Sequence, residues 1–127
     1  MKVKFYGTRG SIPVCNRDFL EFGGNTTSLM ITRDNGRVAI LDAGTGIRQL
    51  GIDLAKKKLH QKDLFIGFTH FHWDHIQGFP FFGSAYNPNM IINILAMGKD
   101  REVNDLEEIF KGQMKPEYFP VPLLSMG

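Results

Sequence analysis

The chain has 127 residues, of which 43% are hydrophobic and 22% charged, so it can bury a core of its own and is one domain or a piece of one. Its 15 Lys and Arg residues and 13 Asp and Glu residues give a net charge of +2, too balanced to indicate a nucleic-acid or membrane-surface protein. The single cysteine, Cys15, excludes an intramolecular disulfide framework and is typical of a reducing compartment. The N-terminus lacks the apolar core of a signal peptide, so we expect a cytoplasmic protein with no membrane partner.

The N-terminal part of the chain predicts three short strands, two of them joined as a hairpin. The apolar alternation places the strands around Val3–Phe5, over Thr27–Thr32 and over Arg37–Leu41. Between the second and third strands, Asp34-Asn35-Gly36 is a strong hairpin signal, because Asn and Gly tolerate the positive φ values of a type I′ turn.

The rest of the chain alternates helices with apolar strands. A helix is predicted after Gly46, a second helix has Asp100 as a candidate cap, and compact apolar runs predict two further strands. The helix faces are Ile47, Leu50 and Leu54 in the first and Val103, Leu106, Phe110 and Met114 in the second, and the strands are Leu64–Phe68 and Ile91–Leu95. This order favours an α/β fold with helices on one face of a mixed sheet. The predicted strands are too few to form a second sheet over the other face.

The segment Thr69–His75, THFHWDH, carries most of the chemical information, since it holds three of the four histidines and a carboxylate. Imidazole and carboxylate suit zinc, manganese or iron(II). In an extended backbone His70 and His72 point to one side, while Phe71 and Trp73 point to the other, towards a core. This pattern differs from the helical HExxH motif and predicts that the two histidines bind one metal ion, with Asp74 and His75 reaching a second after a bend.

Asp74 has an ordinary alternative role, because an aspartate before His75 can cap a helix that begins there. That alternative does not extend to the whole cluster. Three histidines at one strand end are costly to hold together unless each has a metal or a hydrogen-bond partner. The residue types and their spacing therefore favour metal binding.

THFHWDH fits the HxHxDH motif of the metallo-β-lactamase superfamily, and other segments resemble the branch that holds ribonuclease Z and the cyclic phosphodiesterases of phosphonate metabolism. These segments are Gly7–Val14, Gly23–Thr26, Leu41–Gly46, Gln77–Phe82 and Tyr118–Val121. The resemblance implies an αββα sandwich with a two-metal site between its sheets. It also implies that His70 and His72 bind the first ion, Asp74 and His75 bind the second, and Asp42 orients the motif without binding metal.

The activity that this resemblance implies is hydrolysis of a small-molecule or nucleotide phosphodiester. Two divalent ions, zinc by preference, would share a hydroxide that attacks phosphorus, and Asp74 would help to orient it. Hydrolysis of a thioester or a lactam is the alternative within the superfamily. The substrate-binding residues stay unknown: Thr8, Arg9 and Ser11 are candidates for binding phosphate, but an ordinary loop explains them equally well.

The resemblance also implies further ligands, which this sequence lacks. No histidine follows His75, and the remaining one, His60, lies in a polar stretch typical of a solvated loop. We therefore expect residues 1–127 to be the N-terminal half of the sandwich, binding fewer metal ions than the complete domain or none. Such a chain could be a fragment, pair with a second chain, or be a short protein with a degraded site. The functional alternative is a non-catalytic metal-binding domain that self-associates. An uncovered apolar sheet face predicts a homo-oligomer or a second chain that completes the sandwich.

Overall fold

A computed structural model of the chain describes residues 1–57, 61–97 and 103–126. Within these ranges the strands are β1 (Lys2–Gly7), β2 (Ser28–Thr32), β3 (Val38–Leu41), β4 (Asp63–Phe68) and β5 (Ile91–Ala96), and the helices are α1 (Ile47–Lys56), α2 (Trp73–Ile76) and α3 (Val103–Gln113). Short 3-10 turns link some of these elements. None of the helices in the described ranges is both long enough and apolar enough to cross a bilayer.

The five strands form one mixed sheet in the order β1-β2-β3-β4-β5. The first three strands pair antiparallel, whereas β3, β4 and β5 run parallel. Helix α1 provides the crossover between β3 and β4, as a parallel connection requires. The α/β class predicted from the sequence is confirmed.

The turn between β2 and β3 differs from the predicted type I′ turn. Gly36 has φ of +81°, but Asn35 is not among the residues with positive φ. The amide of Gly36 donates to the Arg33 carbonyl at 2.9 Å, and the amide of Arg33 donates to the Arg37 carbonyl at 2.8 Å. The loop is therefore a three-residue connection, a type I turn followed by a left-handed glycine, which needs positive φ at one position only.

The helices cover one face of the sheet and form the core with it. Alternate strand residues such as Met30, Ile40 and Ile66 point to this face and are buried. The predicted inner face of α1 is confirmed, because Ile47, Leu50 and Leu54 are all buried. In α3, Phe110 is buried and Leu106 is half-buried, and Met114, directly after the helix, is also buried. The candidate cap Asp100 lies outside the described residues.

The opposite face of the sheet, which we call the open face, is apolar and has no helix over it among the described residues. The strand register aligns its side chains in two rows across the sheet. The rows are Val3-Ile31-Ala39-Phe65-Asn93 and Phe5-Leu29-Leu41-Gly67-Leu95. All of these apolar side chains are partly or largely exposed. The expectation of helices on one face and an uncovered second face agrees with this arrangement.

Candidate functional site

The candidate site lies where β3 and β4 end side by side. These strands are parallel neighbours, with Leu41 aligned to Gly67. The amide of Asp42 continues the pairing by donating to the Gly67 carbonyl at 2.9 Å. The segment that follows β4, Thr69–His75, therefore begins beside Asp42, which is how parallel strands bring distant residues to one sheet edge.

Asp42 is a buried carboxylate that holds the start of the motif. Its side chain is satisfied by Thr69, whose amide donates to Oδ1 at 2.8 Å and whose hydroxyl donates to Oδ2 at 2.9 Å. The backbone of Asp42 has φ of +58°, a left-handed conformation that aspartate tolerates better than most residues. The resemblance implies an orienting role for Asp42, and the contacts with Thr69 are compatible with that role.

The three histidines of the motif are close together. The ring centroid of His70 lies 4.4 Å from that of His72 and 4.0 Å from that of His75. The Thr69 hydroxyl is 3.1 Å from Nδ1 of His70, so one threonine contacts both Asp42 and a motif imidazole. The side chains that the spacing predicted to converge therefore share one location at the sheet edge.

His75 lies between two carboxylates. Its Nδ1 is 2.9 Å from Oδ2 of Asp42, and its Nε2 is 3.3 Å from Oδ2 of Asp74. One imidazole therefore faces both carboxylates, and the metal-binding role expected of His75 stays a prediction.

Asp74 receives a contact that the sequence did not indicate. The amide of Ser11 donates to Oδ2 of Asp74 at 2.9 Å, and Ser11 has φ of +68°. The loop after β1 therefore reaches the site through a backbone N–H that donates to Asp74. The sequence suggested phosphate as the partner of this loop's hydroxyls, guanidinium and amides, and that suggestion stays a prediction. Arg9 lies in the same loop, with its guanidinium stacked 4.9 Å from the ring centroid of Phe19. Sequence patterns do not predict which carboxylate a backbone amide will contact. The hydrogen bond from Ser11 to Asp74 could therefore be found only from the fold.

Two ligand candidates have displaced pKa values. Burial lowers the pKa of His70, and the neighbouring His75 and His72 lower it further. The neutral imidazole favoured in this way is the form that binds metals. Burial acts to raise the pKa of Asp74, but the Ser11 amide, its own amide and the nearby histidines outweigh it and hold this pKa below its usual value. Asp74 is thereby kept as an anion.

Helix α2 corrects two expectations about the motif. It begins at Trp73, with His72 as the residue before it, and Asp74 lies inside its first turn without a side-chain capping bond. A capping role of Asp74 for a helix starting near His75 is therefore wrong. Trp73 is 65% exposed rather than in the core, because the helix turns the chain out of the extended geometry, whereas Phe71 is half-buried and stacks on Phe68.

Close backbone contacts fix α2 against the end of β3. The amide of Ala43 donates to the His75 carbonyl at 2.7 Å, and the amide of Gly78 donates to the Ala43 carbonyl at 2.8 Å. A Cβ atom on Gly44 would lie 2.3 Å from the Asp74 carbonyl oxygen, so only glycine permits this approach. The motif is therefore held from both sides, by Asp42 at its start and by Ala43 and Gly44 at its end.

Nε2 of His75 and Oδ2 of Asp74 have the spacing of two ligands of one metal ion, but they do not complete its coordination shell. Two zinc ligands with bonds of about 2.1 Å at tetrahedral angles lie about 3.4 Å apart, and Nε2 of His75 and Oδ2 of Asp74 are 3.3 Å apart. Across the described ranges, however, no three His, Cys, Asp or Glu side chains are arranged to hold a metal ion. His60 lies outside those ranges. The expected ligand set of His70, His72, Asp74 and His75 stays a prediction.

Comparisons with known proteins add no assignment. The chain matches no protein-family model, no curated protein and no solved structure. The likeness to metallo-β-lactamases therefore depends on the residues of the chain itself. What the structure shows is an α/β protein with a five-stranded mixed sheet, and with three helices within the described ranges.

Proposed function

We propose that this chain carries the ligand-bearing half of a metal-dependent hydrolase site of the metallo-β-lactamase type, with a small-molecule or nucleotide phosphodiester as substrate. The observation that carries the proposal is His75 with a carboxylate oxygen at each ring nitrogen, 2.9 Å away at Asp42 and 3.3 Å away at Asp74. The sheet would then be one half of an αββα sandwich.

The two distances support different roles for the two carboxylates. At 2.9 Å, Asp42 is close enough to hold the Nδ1–H side of the ring, as carboxylates behind metal-binding histidines do. At 3.3 Å, the Asp74 contact is longer than the 2.7–2.9 Å of an ordinary charge-assisted hydrogen bond. It is close to the separation of about 3.4 Å between two ligands of one tetrahedral zinc ion. Asp74 and His75 are thus the proposed ligands of one ion, and His70 and His72 those of the other.

Divalent ions bound there, zinc by preference and manganese or iron as alternatives, would polarise a phosphoryl oxygen and lower the pKa of water. The chain's own residues would prepare the site. Asp42 and Thr69 fix the start of the motif, and the Ser11 amide orients Asp74. Asp74 is also the candidate catalytic group, because an anionic carboxylate can orient the attacking water. A phosphodiester is preferred over a thioester or lactam because Gly7–Val14 and Gln77–Phe82 resemble the phosphodiesterase branch.

A second candidate function is metal binding without catalysis. It is favoured by the absence of a three-donor group among the described side chains, because a single pair of ligands does not complete even one zinc shell. Under this hypothesis the chain binds an ion weakly through His75 and Asp74 and turns over no substrate.

Metal binding and activity can be separated in one series. The protein is purified without added metal, titrated with zinc and manganese, and assayed with bis-p-nitrophenyl phosphate and with a thioester. We expect metal binding that His72→Ala abolishes and the control His60→Ala retains, and phosphodiester hydrolysis, where the half-site supports it, that is lost in the same variant. Metal binding without turnover favours the second candidate, and no binding in either variant or in the wild type overturns both.

A further inference from the structure

The open face is a continuous apolar surface that spans all five strands of the sheet. Its central strands contribute half-buried Leu29, Ile31 and Leu41, and its outer strands contribute more exposed side chains. Phe5 on β1 is 62% exposed and Leu95 on β5 is 53% exposed. None of these residues belongs to the cluster packed beneath the helices. Water therefore contacts the whole row of side chains, which is unfavourable unless another surface covers them.

The charges on this side of the sheet lie at its margin. Neither of the two rows across the open face contains a charged residue. Asp63 begins β4 at one end and is paired with Arg37 at 2.9 Å. At the other end Met97 extends the apolar surface, since its methyl group would lie 3.9 Å from a Cβ atom on Gly67. An occupant of this face must therefore be apolar, because a charged surface would lose its hydration without gaining a partner.

We propose that the occupant is a second copy of this chain, which packs its own open face against the first about a two-fold axis. An uncharged apolar face is complementary to itself, as a two-fold interface requires. Twisted sheets pack in this way about 10 Å apart, with strand directions rotated by about 30°. From strand and residue spacings, the flat footprint of the two rows with Ile91 and Met97 is about 400 Å². Side-chain relief adds to this footprint, so two copies bury on the order of 1,000 Å², the lower limit for a specific interface and the size of a dimer that dissociates on dilution.

The test is the oligomeric state of the whole chain across a dilution series, followed by sedimentation equilibrium. We expect a dimer of twice the 14.4 kDa chain mass that dissociates on dilution. Phe65→Glu should raise the dimer dissociation constant at least about tenfold, because each dimer would then bury two unpaired carboxylates. Ile52→Glu is the matched control, since Ile52 lies on α1 and has the same 37% exposure as Phe65. It should leave the dissociation constant unchanged.

Three results would overturn the proposal. The first is a wild-type protein that is monomeric at every concentration, and the second is an assembly without defined stoichiometry. The third is an equal increase of the dimer dissociation constant in Phe65→Glu and Ile52→Glu. A monomeric wild type would indicate that a different partner covers the face. Far-UV circular dichroism checks that the variants fold, and Phe5→Glu, at an exposed position on the edge strand β1, provides a second variant with the same expected tenfold loss.

Discussion

The amide of Thr69 donates a 2.8 Å hydrogen bond to Oδ1 of Asp42, and this bond joins the residue after β3 to the residue after β4. Because Asp42 is buried and its backbone is left-handed, the contact is made at some conformational cost. The same carboxylate lies 2.9 Å from His75 through Oδ2. One aspartate thus fixes both ends of the histidine motif.

Replacing Asp42 should separate its hydrogen-bonding and charge roles. Asp42→Asn keeps an acceptor for Thr69 and tolerates positive φ, so we expect a loss of about 1 kcal/mol in the free energy of unfolding. Asp42→Leu leaves the Thr69 amide and hydroxyl unpaired and strains the backbone, so about 3 kcal/mol or more should be lost. Urea denaturation measures both. Equal stabilities of the two variants would show that the hydrogen bonds contribute little.

Gly44 should not tolerate a side chain. In Gly44→Ala the new Cβ would lie 2.3 Å from the Asp74 carbonyl oxygen and 2.5 Å from Oγ1 of Thr26, so α2 must move or the fold must open. We expect a loss of several kcal/mol on the scale of overpacked cores. Gly83→Ala is the control, because no atom lies within 4 Å of its Cβ position. Similar melting temperatures for the two variants would contradict the close approach of α2 to β3.

Phe68 should dominate the aromatic part of the core. It is fully buried, and its ring centroid lies 5.2 Å from that of Phe110 and 5.5 Å from that of Phe71. Phe68→Ala should lower the free energy of unfolding by about 3–5 kcal/mol, because it removes these contacts and leaves a cavity. Phe81→Ala, at a position 57% exposed, should cost no more than about 1 kcal/mol. Chemical denaturation measures the free energy of unfolding of both variants. A smaller loss of stability in Phe68→Ala than in Phe81→Ala would contradict the assignment of Phe68 to the core.

Asp53 should make the free energy of unfolding depend on pH in the acid range. Its carboxylate accepts hydrogen bonds from Lys4 at 2.8 Å and Tyr6 at 2.9 Å, which join α1 to β1, and from Gln49 of the same helix at 3.0 Å. Lys4 first, then Gln49 and Tyr6, lower the pKa of Asp53 from 3.8 to about 2. Because the folded pKa lies below the unfolded value, the stabilisation is complete above about pH 4 and is lost as the pH falls through about 2.

The measurement for Asp53 is urea denaturation of wild type and Asp53→Asn from neutral to acid pH. The variant should be less stable at pH 6, and the difference between the two proteins should shrink as the pH falls below about 4. Glu21→Gln, an exposed position in the loop before β2, controls for removing one negative charge. A stability difference that is constant with pH would rule out the proposed linkage.

The fold was predictable from the sequence where hydrophobic periodicity is strong. The alternation in β2 predicts the observed strand, and the spacing of Ile47, Leu50 and Leu54 matches the buried side of α1. Alternation did not show which side of β2 would be covered, because Met30 is buried whereas Leu29 and Ile31 lie on the open face. Trp73 could not be placed in this way. Its exposure follows from the start of a short helix at that residue, and alternation along an extended segment does not show where a helix begins.

The candidate site was predictable in its residue types but not in its contacts. Three histidines and an aspartate in seven residues indicate metal chemistry through their ligand atoms. Which of these atoms contact one another depends on the pairing of distant segments, and a local sequence pattern does not contain that information. The amide of Ser11 at Asp74 and the carboxylate of Asp42 at His75 come from distant segments, and their approach follows from the sheet and its loops.

The parallel pairing of β3 with β4 also sets when the site can form during folding. The β2–β3 hairpin closes over a few residues and is fast, whereas β4 joins only after the chain has passed through α1. Asp42 therefore belongs to a hairpin that closes locally, whereas Thr69–His75 reaches it only after the longer crossover through α1 has closed.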